Sequence, residues 1–83
     1  MGFKKNLNKL QAEPSEMRIG EVVNILMHFG FHQRTINGSH YQFKKEKYLK
    51  LTLAVHNNKV KKIYVKSIKE AIMPLLNIKN DEK

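Results

Sequence analysis

The sequence predicts an α+β domain in the order helix, helix, three antiparallel strands, helix, with the helices laid on one face of a three-stranded sheet. Three observations predict it. Apolar residues recur at three- and four-residue spacing towards both ends of the chain, as they do along one face of a helix. In the middle they alternate, with Leu49, Leu51, Leu53 and Val55 set against Lys50, Thr52, Ala54 and His56, the period of a strand that buries one face. Between two strand candidates stands Asn37-Gly38, the dipeptide that best tolerates the positive φ angles of a two-residue type I′ hairpin turn.

Each element has its own justification. Residues 3–12 carry Phe3, Leu7 and Leu10 at helical spacing, a thin stripe for a short helix that Glu13-Pro14-Ser15 breaks. After an extended Met17-Arg18-Ile19, the positions Val22, Val23, Leu26 and Phe29 mark a second helix, with Gly30 where a C-terminal cap belongs. Strands are expected over residues 31–36, 40–45 and 49–56. In the second of these Tyr41 and Phe43 share a face, which leaves His40, Gln42 and Lys44 on the other. His40 is therefore expected opposite the core. Asn57-Asn58-Lys59 reads as a loop and residues 60–64 as an extended lead into a last helix. That helix carries Val65, Ile68, Ile72, Leu75 and Leu76 and is expected to be interrupted near Pro74. One domain, 1–83, results, with a helical extension at 1–14, the body at 15–78 and a frayed tail at 79–83.

Composition narrows the function. Eighty-three residues leave no room for a separate cofactor domain, and the absence of cysteine removes both disulfides and thiolate metal sites. The opening Met1-Gly2-Phe3-Lys4-Lys5-Asn6 has no apolar signal region behind it, and Asn6 stands where a myristoylation motif wants Ser or Thr. A cytoplasmic protein without membrane attachment is expected. Asn37-Gly38-Ser39 matches a glycosylation acceptor, but that reading needs secretion, and turn chemistry accounts for the tripeptide.

The net charge of +9 is segregated. Residues 31–69 hold ten basic residues, Arg34, Lys44, Lys45, Lys47, Lys50, Lys59, Lys61, Lys62, Lys66 and Lys69, against the single acid Glu46. Such a block neutralises phosphates and releases their counterions, and Tyr41, Tyr48 and Tyr64 lie interleaved with it. Nucleic acid is the expected partner, with Arg34, Lys44, Lys45, Lys50, Lys61 and Lys62 as its contacts. By packing logic Tyr41 belongs to the core, and Tyr64 is favoured as an anchor for the last helix over a stacking platform.

The pattern Phe29-Gly30-Phe31, then Gly38-Ser39-His40, then an apolar strand ending in His56 and the run Val60-Lys61-Lys62-Ile63-Tyr64-Val65-Lys66 resembles the HicA family of toxin ribonucleases. The match covers residues 18–76, and the segment 3–12 is similar to the N-terminal helix of longer members. The resemblance implies a double-stranded-RNA-binding-like fold, cleavage of mRNA by a single catalytic histidine in Gly-Ser-His, here His40, and inhibition by a HicB-type antitoxin. The chain departs from the pattern at Thr35, where many members carry Arg; Arg34 stands beside it.

The chemistry is compatible with so small a protein. In RNA the 2′-hydroxyl can attack the adjacent phosphodiester, so a nuclease needs a base, an acid and positive charge around the phosphoryl group. His40 would serve as the proton carrier, with Lys44, Lys50 and neighbouring cations on the phosphate. Ser39 and His56 are auxiliary candidates, the first to orient His40 and the second as a further acid–base group. A two-metal site needs converging carboxylates, which residues 31–69 lack, and there is no Gly-rich phosphate loop, no H-E-x-x-H and no serine elbow. No metal and no cofactor are expected. His28 is expected as a surface residue facing a helix dipole, and His32 as an ordinary polar position. The alternative from another class is a noncatalytic RNA-binding module that uses the same basic face. A monomer is the favoured state of the free chain.

Overall fold

The computed structural model describes residues 2–37, 39–46 and 49–81, in the order α1 (Phe3–Gln11), β1 (Glu16–Arg18), α2 (Ile19–His28), β2 (His32–Asn37), β3 (His40–Lys45), β4 (Leu49–Ala54), β5 (Lys59–Lys61) and α3 (Lys62–Asp81). The α+β class holds, and β2, β3 and β4 form the expected antiparallel meander. A second sheet was not expected. β1 and β5 pair as a two-stranded ribbon in which Met17 lies opposite Val60, and both side chains are buried. This ribbon joins the segments that lead into α2 and α3, so both helices start from one braced edge.

The core forms where the three helices meet one face of the meander. Val22, Ile25 and Leu26 of α2 and Val65, Ile68 and Ile72 of α3 are buried with Phe31, Phe43 and Leu53. Tyr41 and Tyr64 pack against this cluster, so both serve the core. The α2 terminus is a Schellman cap: the Gly30 N–H donates to the Met27 carbonyl (3.0 Å) and the Phe31 N–H to the Leu26 carbonyl (3.0 Å). Its geometry puts Gly30 at φ +92°, in the left-handed region that favours glycine. Phe31 thereby turns into the core and β2 starts at His32.

Three boundaries differ from expectation, each for a nonlocal reason. β4 ends at Ala54 rather than at residue 56, because its partner β3 starts at His40, directly opposite Ala54. His56 instead exchanges two backbone hydrogen bonds of 2.9 Å with Lys59 across Asn57 and Asn58. Both of those asparagines have positive φ, 52° and 64°, as in a type I′ turn. The expected extended lead over residues 60–64 shrinks to β5, since β1 offers only three partners before α2 begins. Helix α3 therefore starts at Lys62 and places Tyr64, Val65 and Ile68 on its packed side. Pro74 lies inside α3 without ending it. A proline there costs about 3 kcal/mol, and packing on both sides of it, by Ala71 and Ile72 before and by Leu75 and Leu76 after, outweighs that cost. The helix runs through most of the segment expected as a tail, and Glu82 and Lys83 lie outside the described residues.

Helix α1 is docked on the body. Leu10 is fully buried, and Phe3 stacks on His28 with ring centroids 3.6 Å apart, so His28 is a packing partner as well as a helix-end residue. The amide of buried Asn6 donates to Asn24 Oδ1 (2.9 Å). Lys9 pairs with Glu21 (3.0 Å), and Lys69 donates to both the Gln11 carbonyl (3.1 Å) and Glu13 (2.9 Å). The Lys69 hydrogen bond and charge hold the Glu13 carboxyl below its ordinary value. Burial pushes Glu21 up, but hydrogen bonds from Lys9 and the Arg18 backbone N–H prevail and leave it lowered as well.

Gly30→Ala forces a Cβ into the left-handed region and should cost about 1–2 kcal/mol in urea denaturation. Gly20→Ala, in a helical position with open space around it, should instead stabilise by up to about 1 kcal/mol. Carboxyls lowered in the folded state contribute stability that is present above their unfolded values, near 4.5, and that is lost as pH falls through the folded ones. The thermal midpoint should therefore drop on acidification below about pH 4.5, with a shallower drop in Glu21→Gln.

Candidate active site on the open face of the sheet

One face of the meander is covered by helices and the other is not. Because successive side chains alternate, the burial of Phe43 and Leu53 assigns His40, Gln42 and Lys44 of β3 and Lys50, Thr52 and Ala54 of β4 to the uncovered face. From β2 the same face receives His32 and Arg34, paired with Lys44 and Gln42. Three rows run across the strands: Ala54 opposite His40, then Arg34–Gln42–Thr52, then His32–Lys44–Lys50.

His40 is exposed at the first position of β3. The Ser39 carbonyl accepts the Val55 N–H at 2.8 Å, which ties the residue before His40 to the end of β4. Ser39 Oγ lies 3.4 Å from His40 Nδ1. Opposite His40 in the register stands Ala54, whose side chain ends at Cβ. His56 follows two residues beyond Ala54, at the same end of the sheet as His40, where the chain turns into β5.

The hairpin that carries His40 is built differently from the expected two-residue turn. Asn37 is the last residue of β2 and pairs with His40, and the register shifts between Thr35 and Asn37. Gly38 lies outside the described residues. The shift decides which cation reaches the site. A two-residue turn at Asn37-Gly38 would pair Thr35 with His40 and Arg34 with Tyr41. The observed register pairs Arg34 with Gln42 and Thr35 with Tyr41, so Arg34 joins the row next to His40.

The remaining expected contacts separate into two groups. Arg34, Lys44 and Lys50 share the open face with His40, whereas Lys45 has the opposite parity, its Nζ 2.8 Å from where a Cβ on Gly30 would stand. Lys61 ends β5 in the other sheet, and Lys62 opens α3, where its charge is felt by Glu13. Two further lysines of the basic block are neutralised locally, Lys59 by Glu16 (3.1 Å) and Lys69 by Glu13. Lys47 and Tyr48 lie outside the described residues. His32, Gln42 and Thr52 complete the face and were not singled out as contacts; counting out from the bulged hairpin register identifies them.

A separate open pocket is lined by Asn6, Arg18, Ile19, Gly20, Glu21 and the turn 57–59. None of the expected site residues borders it. Among the described residues no three His, Asp or Glu side chains gather as metal ligands, and no helix is long and apolar enough to cross a membrane.

Comparison with known proteins gives one match. A family model described as HicA toxin of bacterial toxin-antitoxin matches residues 19–73, about two thirds of the chain. Neither a curated protein nor a solved structure matches. The matched span contains α2, the whole meander and His40, and leaves α1 outside it.

Proposed function

The chain belongs to the HicA toxins of bacterial toxin–antitoxin systems, and from that premise we propose that it is an endoribonuclease that cleaves mRNA at the open face of its meander, with His40 as the catalytic residue. Membership in such a system implies an antitoxin partner. A HicB-type inhibitor that covers His40 with acidic groups would exploit the charge that draws RNA. The observation that carries the reading is the position of His40, exposed on the same open face as Arg34, Lys44 and Lys50, with Arg34 in the adjacent row, on the acid-free strands of the matched region.

The proposed reaction is transesterification. The 2′-oxygen bonds to phosphorus as the bond from phosphorus to the 5′-oxygen breaks, which leaves a 2′,3′-cyclic phosphate and a 5′-hydroxyl. His40 takes up the 2′-hydroxyl proton as the attack begins and returns it to the 5′-oxygen as that group leaves, so the proton count closes at one imidazole. A proton on Nδ1, donated towards Ser39 Oγ, makes Nε2 the basic nitrogen. Ser39 is thus a positioning residue, and Arg34, in the row next to His40, stabilises charge that develops on the phosphoryl oxygens. With Glu46 as the sole acid in residues 31–69, the reaction is proposed to proceed without metal or other cofactor. His56 remains an auxiliary acid–base candidate at the same end of the sheet.

The test compares purified wild type with His40→Ala on a single-stranded RNA. Loss of a general acid–base group should lower the cleavage rate by about 10²–10⁴-fold and abolish growth arrest, with RNA affinity retained. Cleavage that survives the substitution would reassign the protein to noncatalytic RNA binding. Ser39→Ala should reduce the rate by a smaller factor and leave affinity unchanged.

A further inference from the structure

The third row of the open face sets two like charges, Lys44 and Lys50, directly opposite one another. His32, Lys44 and Lys50 lie in register on three adjacent strands, all exposed. Directly opposed like charges destabilise a sheet, and no acid occurs in β2, β3 or β4 to offset them. The ion pairs among the described residues engage Lys9, Lys59 and Lys69, none of them on this face. Pure solubility does not require lysines to face each other; a shared anionic ligand does explain it.

The spacing indicates which ligand. Lys44 is four residues from His40 along β3, about 13 Å at the rise of a strand. The row Arg34–Gln42–Thr52 lies halfway, about 7 Å from either. The face is three strands, or about 10 Å, wide, a strip for one nucleic-acid backbone and too narrow for two side by side. We propose that this face holds single-stranded RNA along β3, with the scissile phosphate at His40 and a second phosphate, two nucleotides away, on His32, Lys44 and Lys50. The middle row, with the guanidinium of Arg34 and the hydrogen-bonding groups of Gln42 and Thr52, holds the nucleotide unit between them. This inference rests on the ribonuclease reading for the scissile position alone; the phosphate subsite itself is a matter of binding.

The experiment therefore measures binding first, in the His40→Ala chain, with a labelled eight-nucleotide RNA that has no self-complementarity. Adding Lys44→Gln and Lys50→Gln should weaken binding at least tenfold and reduce the salt slope by about 0.7 for the one phosphate lost. Lys61→Gln with Lys62→Gln removes the same charge elsewhere and should do markedly less. Equal effects of the two pairs, or tighter binding of the duplexed oligonucleotide, would overturn the subsite. Removing the opposed lysines should raise the thermal midpoint, so a loss of affinity is separable from unfolding. In the active chain, RNA trimmed to end within two nucleotides of the cut on one side should be cleaved at least tenfold more slowly. Lys44→Gln with Lys50→Gln should cleave trimmed and untrimmed RNA at equal rates; a preserved length dependence would also overturn the subsite. Cleavage by His40→Ala itself would sink the catalytic assignment while the binding comparison still decides the subsite.

Discussion

Burial of Phe43 at the centre of β3 is the constraint on which the rest depends. Side chains of a strand alternate, so the insertion of Phe43 into the core, beside Leu53 of β4, assigns His40, Gln42 and Lys44 to the other side. A slip of one residue would exchange the two sets, turning His40 and both flanking polar groups inward and exposing Tyr41 and Phe43. The energetic penalty for that exchange is what secures the register. An exposed histidine thus gains a defined position from an apolar neighbour three residues away.

The helical layer protects this arrangement from the covered side. α2 continues directly from β1 and α3 from β5, and the pairing of those two short strands fixes the first turns of the two helices relative to each other. α1 closes over the layer through Leu10, Phe3 on His28, and polar contacts of Asn6, Lys9 and Lys69. Individually, exposed ion pairs such as Lys9–Glu21 contribute little, about 0–1 kcal/mol; their effect is to orient a helix whose apolar stripe is thin. The acids of residues 13–21 pair with Lys9, Lys59 and Lys69, none of which lies on the meander.

Much of this was legible in the chain. Alternation in residues 49–55 and helical spacing in 22–29 and 65–76 follow from which side chains must leave water, and these are local patterns. The face of His40 followed from Tyr41 and Phe43 by parity alone. The β1–β5 ribbon was not legible, because three-residue strands carry too little pattern: Met17 and Val60 are single apolar residues between polar ones. Pro74 misled for a related reason. Its local preference is strong, but Ile72 before it is buried in the core and Leu75 and Leu76 after it pack, partly buried, against the same core.

The amino-acid order settled the three helices and the meander, the segregation of positive charge, the side of the sheet on which His40 stands and, through its motifs, the toxin family. It did not settle which cations accompany His40. Ten basic residues lie close together along residues 31–69, yet folding distributes them between a bare sheet face, a second sheet and a helix that faces acids. The irregularity between Thr35 and Asn37 brings Arg34 rather than Gln33 into the row beside His40. Strand register depends on partners distant in sequence and on a single inserted residue, so three-dimensional pairing alone could select Arg34, Lys44 and Lys50 from the rest.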